Sequence, residues 1–246
     1  MTQQPSPVAA RHPLPRAGEG LGVRVFEHPD FYIFDKPAGE SFHSENGAGF
    51  FVNIQKQFPG EILFPVHRLD RMTSGLVLVA RNKTAAQQFA KLFESREVEK
   101  TYLALSEHKP SKKQGSIIGD MQRSRSGNWR LARTKENPAI TRFTSQSTNI
   151  LFQEKTVRLF ILKPETGKTH QLRVMMKAIG SPIIGDERYG GTAADRGYLH
   201  ASALKFLWKG EEINCEQQPT TGILFCRGDR PVAPTILQAH LANQVP

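Results

Sequence analysis

His67-Arg68-Leu69-Asp70-Arg71-Met72-Thr73-Ser74-Gly75-Leu76 is the run of the chain richest in side chains able to do chemistry. One carboxylate, Asp70, is flanked by Arg68 and Arg71, and Thr73, Ser74 and Gly75 follow with small polar groups and backbone amides. The run leads into the continuous apolar stretch Leu76 to Ala80, which has the length of a buried strand. Asp70 therefore lies on a loop held by a rigid element, where chemistry tends to be placed. A carboxylate must be ionised to attack, and a guanidinium beside it favours the charged form and fixes its direction. Taken alone, the run reads more simply as an Asp–Arg ion pair closing a solvated turn.

Three further segments carry polar groups in useful patterns. Tyr102 opens the strand-like run Tyr102 to Leu105 and offers a flat face and a hydroxyl. Gly167-Lys168-Thr169-His170-Gln171-Leu172-Arg173 enters a helix expected to begin near His170 and to stop at Gly180, with Pro182 just beyond. Its Gly-Lys-Thr is no phosphate loop, because position 162 is Leu where that motif needs glycine, and Pro164 interrupts it. From Lys109 to Lys135 basic residues dominate: Lys112, Lys113, Arg123, Arg125 and others stand with Trp129 against a single Asp120. Interleaved cations and an aromatic suit an RNA backbone and an unstacked base, though a solvated hairpin has the same composition.

The elements that must position these groups are those of a strand-rich α+β domain. Phe31 to Phe34, Leu76 to Ala80, Tyr102 to Leu105, Ala139 to Phe143, Val157 to Leu162, His200 to Leu207 and Ile223 to Cys226 read as strands. Gly49 to Phe58 and Thr84 to Phe93 carry apolar residues at helical spacing, the second with Asn82 or Thr84 as cap. Strand–helix alternation is uneven, so the expectation is a mostly antiparallel mixed sheet flanked by helices rather than a doubly wound fold. Residues 1–24, with Pro5, Pro7, Pro13 and Pro15 before a glycine patch, read as a flexible extension ahead of one domain, 25–246.

Composition narrows the classes. The chain has 246 residues, 38% of them hydrophobic, and Lys+Arg 33 against Asp+Glu 23 gives a net charge of +10, which favours a polyanionic partner. Apolar runs are too short to span a bilayer and no secretory leader opens the chain, so no membrane association and a cytoplasmic location are expected. Two cysteines without a CxxC pair, and histidines scattered away from carboxylates, give no metal site. Nothing indicates an oligomer, and a monomer is the default.

HRLDRMTSGL resembles the catalytic motif of the RluA family of RNA pseudouridine synthases. The resemblance extends in order through Asp35-Lys36-Pro37-Ala38-Gly39, Lys100-Thr101-Tyr102, Gly167 to Arg173, Gly185-Asp186 with Tyr189-Gly190, and Leu199-His200-Ala201. It covers nearly everything from Val25 to Leu207. It implies a pseudouridine synthase fold with a central active-site cleft, and an isomerase that converts uridine in structured ribosomal or transfer RNA without a cofactor. Matched position by position, Asp70 is the nucleophile, Tyr102 lies against the target base, and Arg173 pairs with the aspartate. Arg68, Arg71, Lys168 and His170, together with Lys112, Lys113, Arg123 and Arg125, are expected to touch RNA. Attack at the sugar, attack at the base and removal of a sugar proton all remain open routes. Two departures stand out: Lys168 where the family more often has Arg, and Met175 where it commonly has His. The alternatives are a non-catalytic RNA-binding protein on the same scaffold and a hydrolase of small phosphorylated substrates.

Overall fold

The computed structural model describes residues 22–44, 47–124, 127–227 and 230–231. Arg125 and almost all of the extension 1–24 lie outside the described residues. The strands in chain order are β1 (Val23–His28), β2 (Phe31–Lys36), β3 (Phe64–Pro65), β4 (Ser74–Ala80), β5 (Glu99–Ser106), β6 (Gln114–Arg123), β7 (Trp129–Leu131), β8 (Pro138–Phe152), β9 (Lys155–Pro164), β10 (Leu199–Trp208) and β11 (Glu211–Glu216). The helices are α1 (Phe50–Gln57), α2 (Lys83–Glu94) and α3 (Gln171–Ala178). The eleven strands form one sheet in the order β1-β2-β4-β10-β5-β9-β8-β6-β7, with β3 added to β4 and β11 to β10. Every pairing in it is antiparallel except β4 with β10, which touch in parallel only at Ser74–Gly75 and His200–Ala201.

Period-2 alternation explains why β2 and β4 are apolar throughout. Phe31, Ile33, Leu76, Leu78 and Ala80 face one core with Phe89 of α2 and Trp208, whereas Tyr32, Phe34, Val77 and Val79 face another with Phe50 and Ile54 of α1. α2 starts where Asn82 accepts the Ala85 amide at 2.8 Å through its side chain. A third core lies under β5, β8, β9 and α3, and Met175 is fully buried in it. Hydrocarbon packing thus accounts for methionine at that position.

Two expectations are corrected. β1 begins at Val23, so the ordered sheet starts two residues before the boundary read at 24/25. Ile223 to Phe225 form a turn closed onto Gly222, whose φ is +96°, and strand pairing resumes only at Cys226–Arg227. A glycine free to take positive φ turns the chain there, which an apolar run does not reveal. No described helix is long and apolar enough to cross a membrane.

Candidate active site

The loop between β3 and β4 carries Asp70. Thr73 closes a turn by donating its amide to the Asp70 carbonyl at 3.0 Å. Arg71 exchanges two bonds with Gly39: its carbonyl accepts the Gly39 amide at 2.8 Å, and its Nε donates to the Gly39 carbonyl at 2.9 Å. At the end of the loop, Gly75 has φ +107°, and a Cβ there would lie 2.2 Å from the Ala201 carbonyl oxygen. Only glycine allows β4 and β10 to approach so closely.

The opposite wall is the start of α3. Gln171 staples it to β8: its Nε2 donates to the Ile140 carbonyl and the Thr141 hydroxyl, each at 3.0 Å, while its Oε1 accepts from Thr166 and the Lys168 amide. His170, just before the helix, takes a left-handed conformation with φ 56°. One turn on, Arg173 divides its guanidinium. Nε and Nη2 donate to the two oxygens of Asp186 at 2.8 Å each, and Nη1 donates to Asp70 Oδ2 at 3.3 Å. Burial works against the arginine's charge, but the Asp186 hydrogen bonds, then the charges of Asp186 and Asp70, more than offset it and raise its pKa. The Asp186 side chain is 1% exposed and that of Asp70 20%, so the first carboxylate anchors the arginine and the second faces the cleft.

Tyr189 completes the frame. Its hydroxyl accepts the Trp129 amide at 3.2 Å and lies 2.8 Å from His170 Nδ1, and its ring lies 4.9 Å from the Arg173 guanidinium carbon. The phenol oxygen, which takes the Trp129 amide on one lone pair, can either donate its proton to Nδ1 or accept one from it, and His170 Nε2 lies 4.0 Å from Asp70 Oδ2. Burial lowers the His170 pKa, and Asp70 opposes that effect.

Asp70 stands where two cavities meet. The inner, about 140 Å³, is lined by Tyr102, Lys100, Leu199, Pro164 and the 166–173 segment; the outer, about 510 Å³, by Gly39, Ser41 to His43, Arg188 and Arg196. Arg68 to Asp70, His170 and Arg173 line both. Burial, then the Asp70 charge, raises the Tyr102 pKa, so Tyr102 keeps its proton at neutral pH.

Asp70, Tyr102, Arg173, Arg68, Arg71 and His170 thus converge on one cleft. Lys168 also lines the inner cavity, but its ammonium is engaged by the carbonyl and side chain of Asn137. Arg123 stands at the tip of the β6–β7 hairpin, 5.3 Å from the Trp129 ring, and that tip docks on Tyr189. Lys112 and Lys113 precede the other end of β6; ten residues at about 3.3 Å each put them some 30 Å along the strand from Arg123, and they line neither cavity. Linear proximity in a basic segment did not mean proximity in space, because an extended strand separates its ends.

The buried partners were not assigned roles from the sequence. Asp186 and Tyr189 fall within recognised motifs, and the signal for a partner was an arginine among Leu172, Val174 and Met175, since a cation on an apolar helix needs a buried counter-charge. Arg196 donates to the Ser74 hydroxyl at 2.6 Å, and Ser74 bonds His200 Nδ1 at 2.8 Å. His200 Nε2 donates to the Gln217 carbonyl, and burial takes its pKa down to about 4. His67, taken down to about 3 by burial, accepts the Leu78 amide. His67 and His200 are therefore neutral structural groups. No cluster of three or more His, Cys, Asp or Glu suited to a metal occurs among the described residues.

Residues 30–178 match the family model described as RNA pseudouridylate synthase. The chain belongs to that family. It is 49% identical over 201 residues to an uncharacterized RNA pseudouridine synthase of Haemophilus influenzae, covering 80% of this chain and 88% of that one. It is 31% identical over 224 residues to ribosomal large subunit pseudouridine synthase C of Escherichia coli K12, covering 83% and 68% respectively. Among solved structures, human RNA pseudouridylate synthase domain containing 1 superposes with a TM-score of 0.73 at 26% identity, over 95% of this chain and all of that one. The synthase is an isomerase acting on RNA, with the α+β fold of its relatives.

Proposed function

We propose that the synthase isomerises a uridine of structured ribosomal or transfer RNA with Asp70 as nucleophile. The relative named for the ribosomal large subunit makes ribosomal RNA the first place to look. The observation that carries the reading is the 3.3 Å contact of Arg173 with Asp70 where the Tyr102 cavity opens. A base inside a duplex is out of reach, so the nucleotide enters unstacked and its uracil lies against the Tyr102 ring. Asp70 opens the reaction by forming a bond that breaks again to release the carboxylate, the C1′–N1 bond breaks with its electron pair on N1, and the uracil turns until C5 faces C1′. The C1′–C5 bond then forms, C5 gives up its proton, and N1 gains one. The walls of the inner cavity, Tyr102, Leu199 and the start of α3, keep the detached uracil in place while it turns. Arg173 stabilises the carboxylate and fixes its aim, with Asp186 as its anchor. Arg68, Arg71 and Arg123 contribute cations toward the RNA backbone.

The experiment is pseudouridine mapping of total RNA with and without the gene. A site that disappears on deletion and returns with the wild-type gene, but not with an Asp70→Asn copy, is the expected result. Full restoration by the Asn copy would show that Asp70 is not the nucleophile.

A further inference from the structure

The outer cavity is unused if the synthase handles a single extruded base, yet it is the larger of the two. Five arginines line it, Arg68, Arg71, Arg173, Arg188 and Arg196, against Asp70 and Asp195. Two of the five have their donors taken up within the protein. Arg173 serves Asp186 and Asp70, and Arg196 donates through Nε, Nη1 and Nη2 to Gly197, Thr221 and Ser74. Asp195 accepts from the Tyr198 hydroxyl and the Ile223 amide.

The remainder is specific. Arg71 spends Nε on Gly39, and its two terminal nitrogens have no acceptor among the described residues. Arg188 spends Nε on Asn128 and Nη2 on the Gly127 carbonyl, which leaves Nη1. Arg68 bonds to nothing among the described residues. Three arginines that line one cavity therefore have donors to spare, which suits the paired non-bridging oxygens of a phosphodiester. The two cavities share the wall Arg68 to Asp70, His170 and Arg173. A strand that puts one base in the inner cavity can carry its adjoining phosphate across that wall.

We infer that the outer cavity binds the phosphodiester and nucleotide next to the target uridine, gripped by Arg68, Arg71 and Arg188, so that the synthase recognises an unstacked dinucleotide step. Arg188 is the member supplied by the turn that holds Tyr189, and the β6–β7 hairpin tip fixes its direction. The hairpin therefore acts on RNA by aiming this arginine as well as through its own cations. The inference rests on the reading that the target uracil sits against Tyr102.

The test uses synthetic stem-loops of the mapped target, either with natural phosphates or with one uncharged methylphosphonate immediately 5′ or 3′ of the uridine. Dissociation constants and single-turnover rates are measured for the wild type, Arg188→Ala and Arg71→Ala. On natural RNA, Arg188→Ala should weaken binding ~10-fold and flatten the log K against log salt slope by about one. One of the two methylphosphonates should cost the wild type ~10-fold as well, and on that RNA Arg188→Ala should lose nothing more. Arg71→Ala gives the same comparison should Arg188→Ala disturb the hairpin. Losses that multiply instead of overlapping, or no effect of either methylphosphonate, would overturn the inference. Conversion of the natural stem-loop by the wild type checks the underlying reading separately, and the binding measurements decide the phosphate site with or without turnover.

Discussion

Nε and Nη2 of Arg173 are committed to Asp186, which leaves Nη1 to meet Asp70. The fork fixes the direction of that third donor, and a point charge cannot do so. Arg173→Lys should therefore lower the single-turnover rate by ~10²–10³ while keeping the charge, because lysine cannot span both carboxylates. It should also cost about 3 kcal/mol in urea denaturation, since Asp186 is left buried and underpaired. Asp186→Asn keeps one acceptor but frees the arginine to swing toward Asp70. The expected outcome is a rate ~10–100-fold lower with the RNA dissociation constant nearly unchanged. Equal losses in rate and binding would instead make Asp186 part of the RNA surface. Asp70, Tyr102 and Arg173 were legible in the sequence because they lie in ordered motifs. Asp186 was legible only as a motif letter, because its work is a contact across 13 positions of chain.

β4 and β10 meet for two residues only, and the Asp70 loop enters the sheet at that point. Gly75→Ala places a Cβ against the Ala201 carbonyl at a positive φ, so it should cost at least ~2 kcal/mol and lower the rate through the displaced loop. Unfolding midpoints and single-turnover rates check both, and a variant as stable and as fast as wild type would remove this role. Elements with continuous or helix-periodic apolar residues were readable: β2, β4, β5, β8, β9, β10 and the three helices. β6 (QGSIIGDMQR) and β11 (EEINCE) were not, because half-exposed strands near the sheet's edges mix charges into the pattern and are defined by their neighbours. The cleft depends on such non-local pairing, so its residues were visible before its shape was.

Three buried titratable groups link the whole molecule to pH. His67 and His200, held down to about 3 and about 4, stay neutral when folded and take up protons when unfolded below about 6.5. Stability they provide is present above pH 6.5 and is lost as the pH falls. Asp35 works the other way. Burial raises it to about 6, so between 3.8 and 6 the folded state holds a proton that the unfolded chain has released, and stability falls as pH rises. Asp35 therefore blunts the acid destabilisation caused by the histidines. Asp35→Asn should steepen the loss of stability between pH 4.5 and 5.5 by up to one proton, about 1.4 kcal/mol per pH unit. Urea unfolding across that range measures it, and an unchanged slope would mean that Asp35 is not buried as a neutral acid.

The most direct test of the account is single-turnover conversion of the mapped stem-loop by purified wild type and Asp70→Asn, with binding measured on the same RNA. The account expects affinity within about threefold and a rate at least ~10⁴-fold lower for the variant, since the arginine stays anchored on Asp186 while the attacking oxygen is gone. Conversion by the variant at more than a hundredth of the wild-type rate would contradict it.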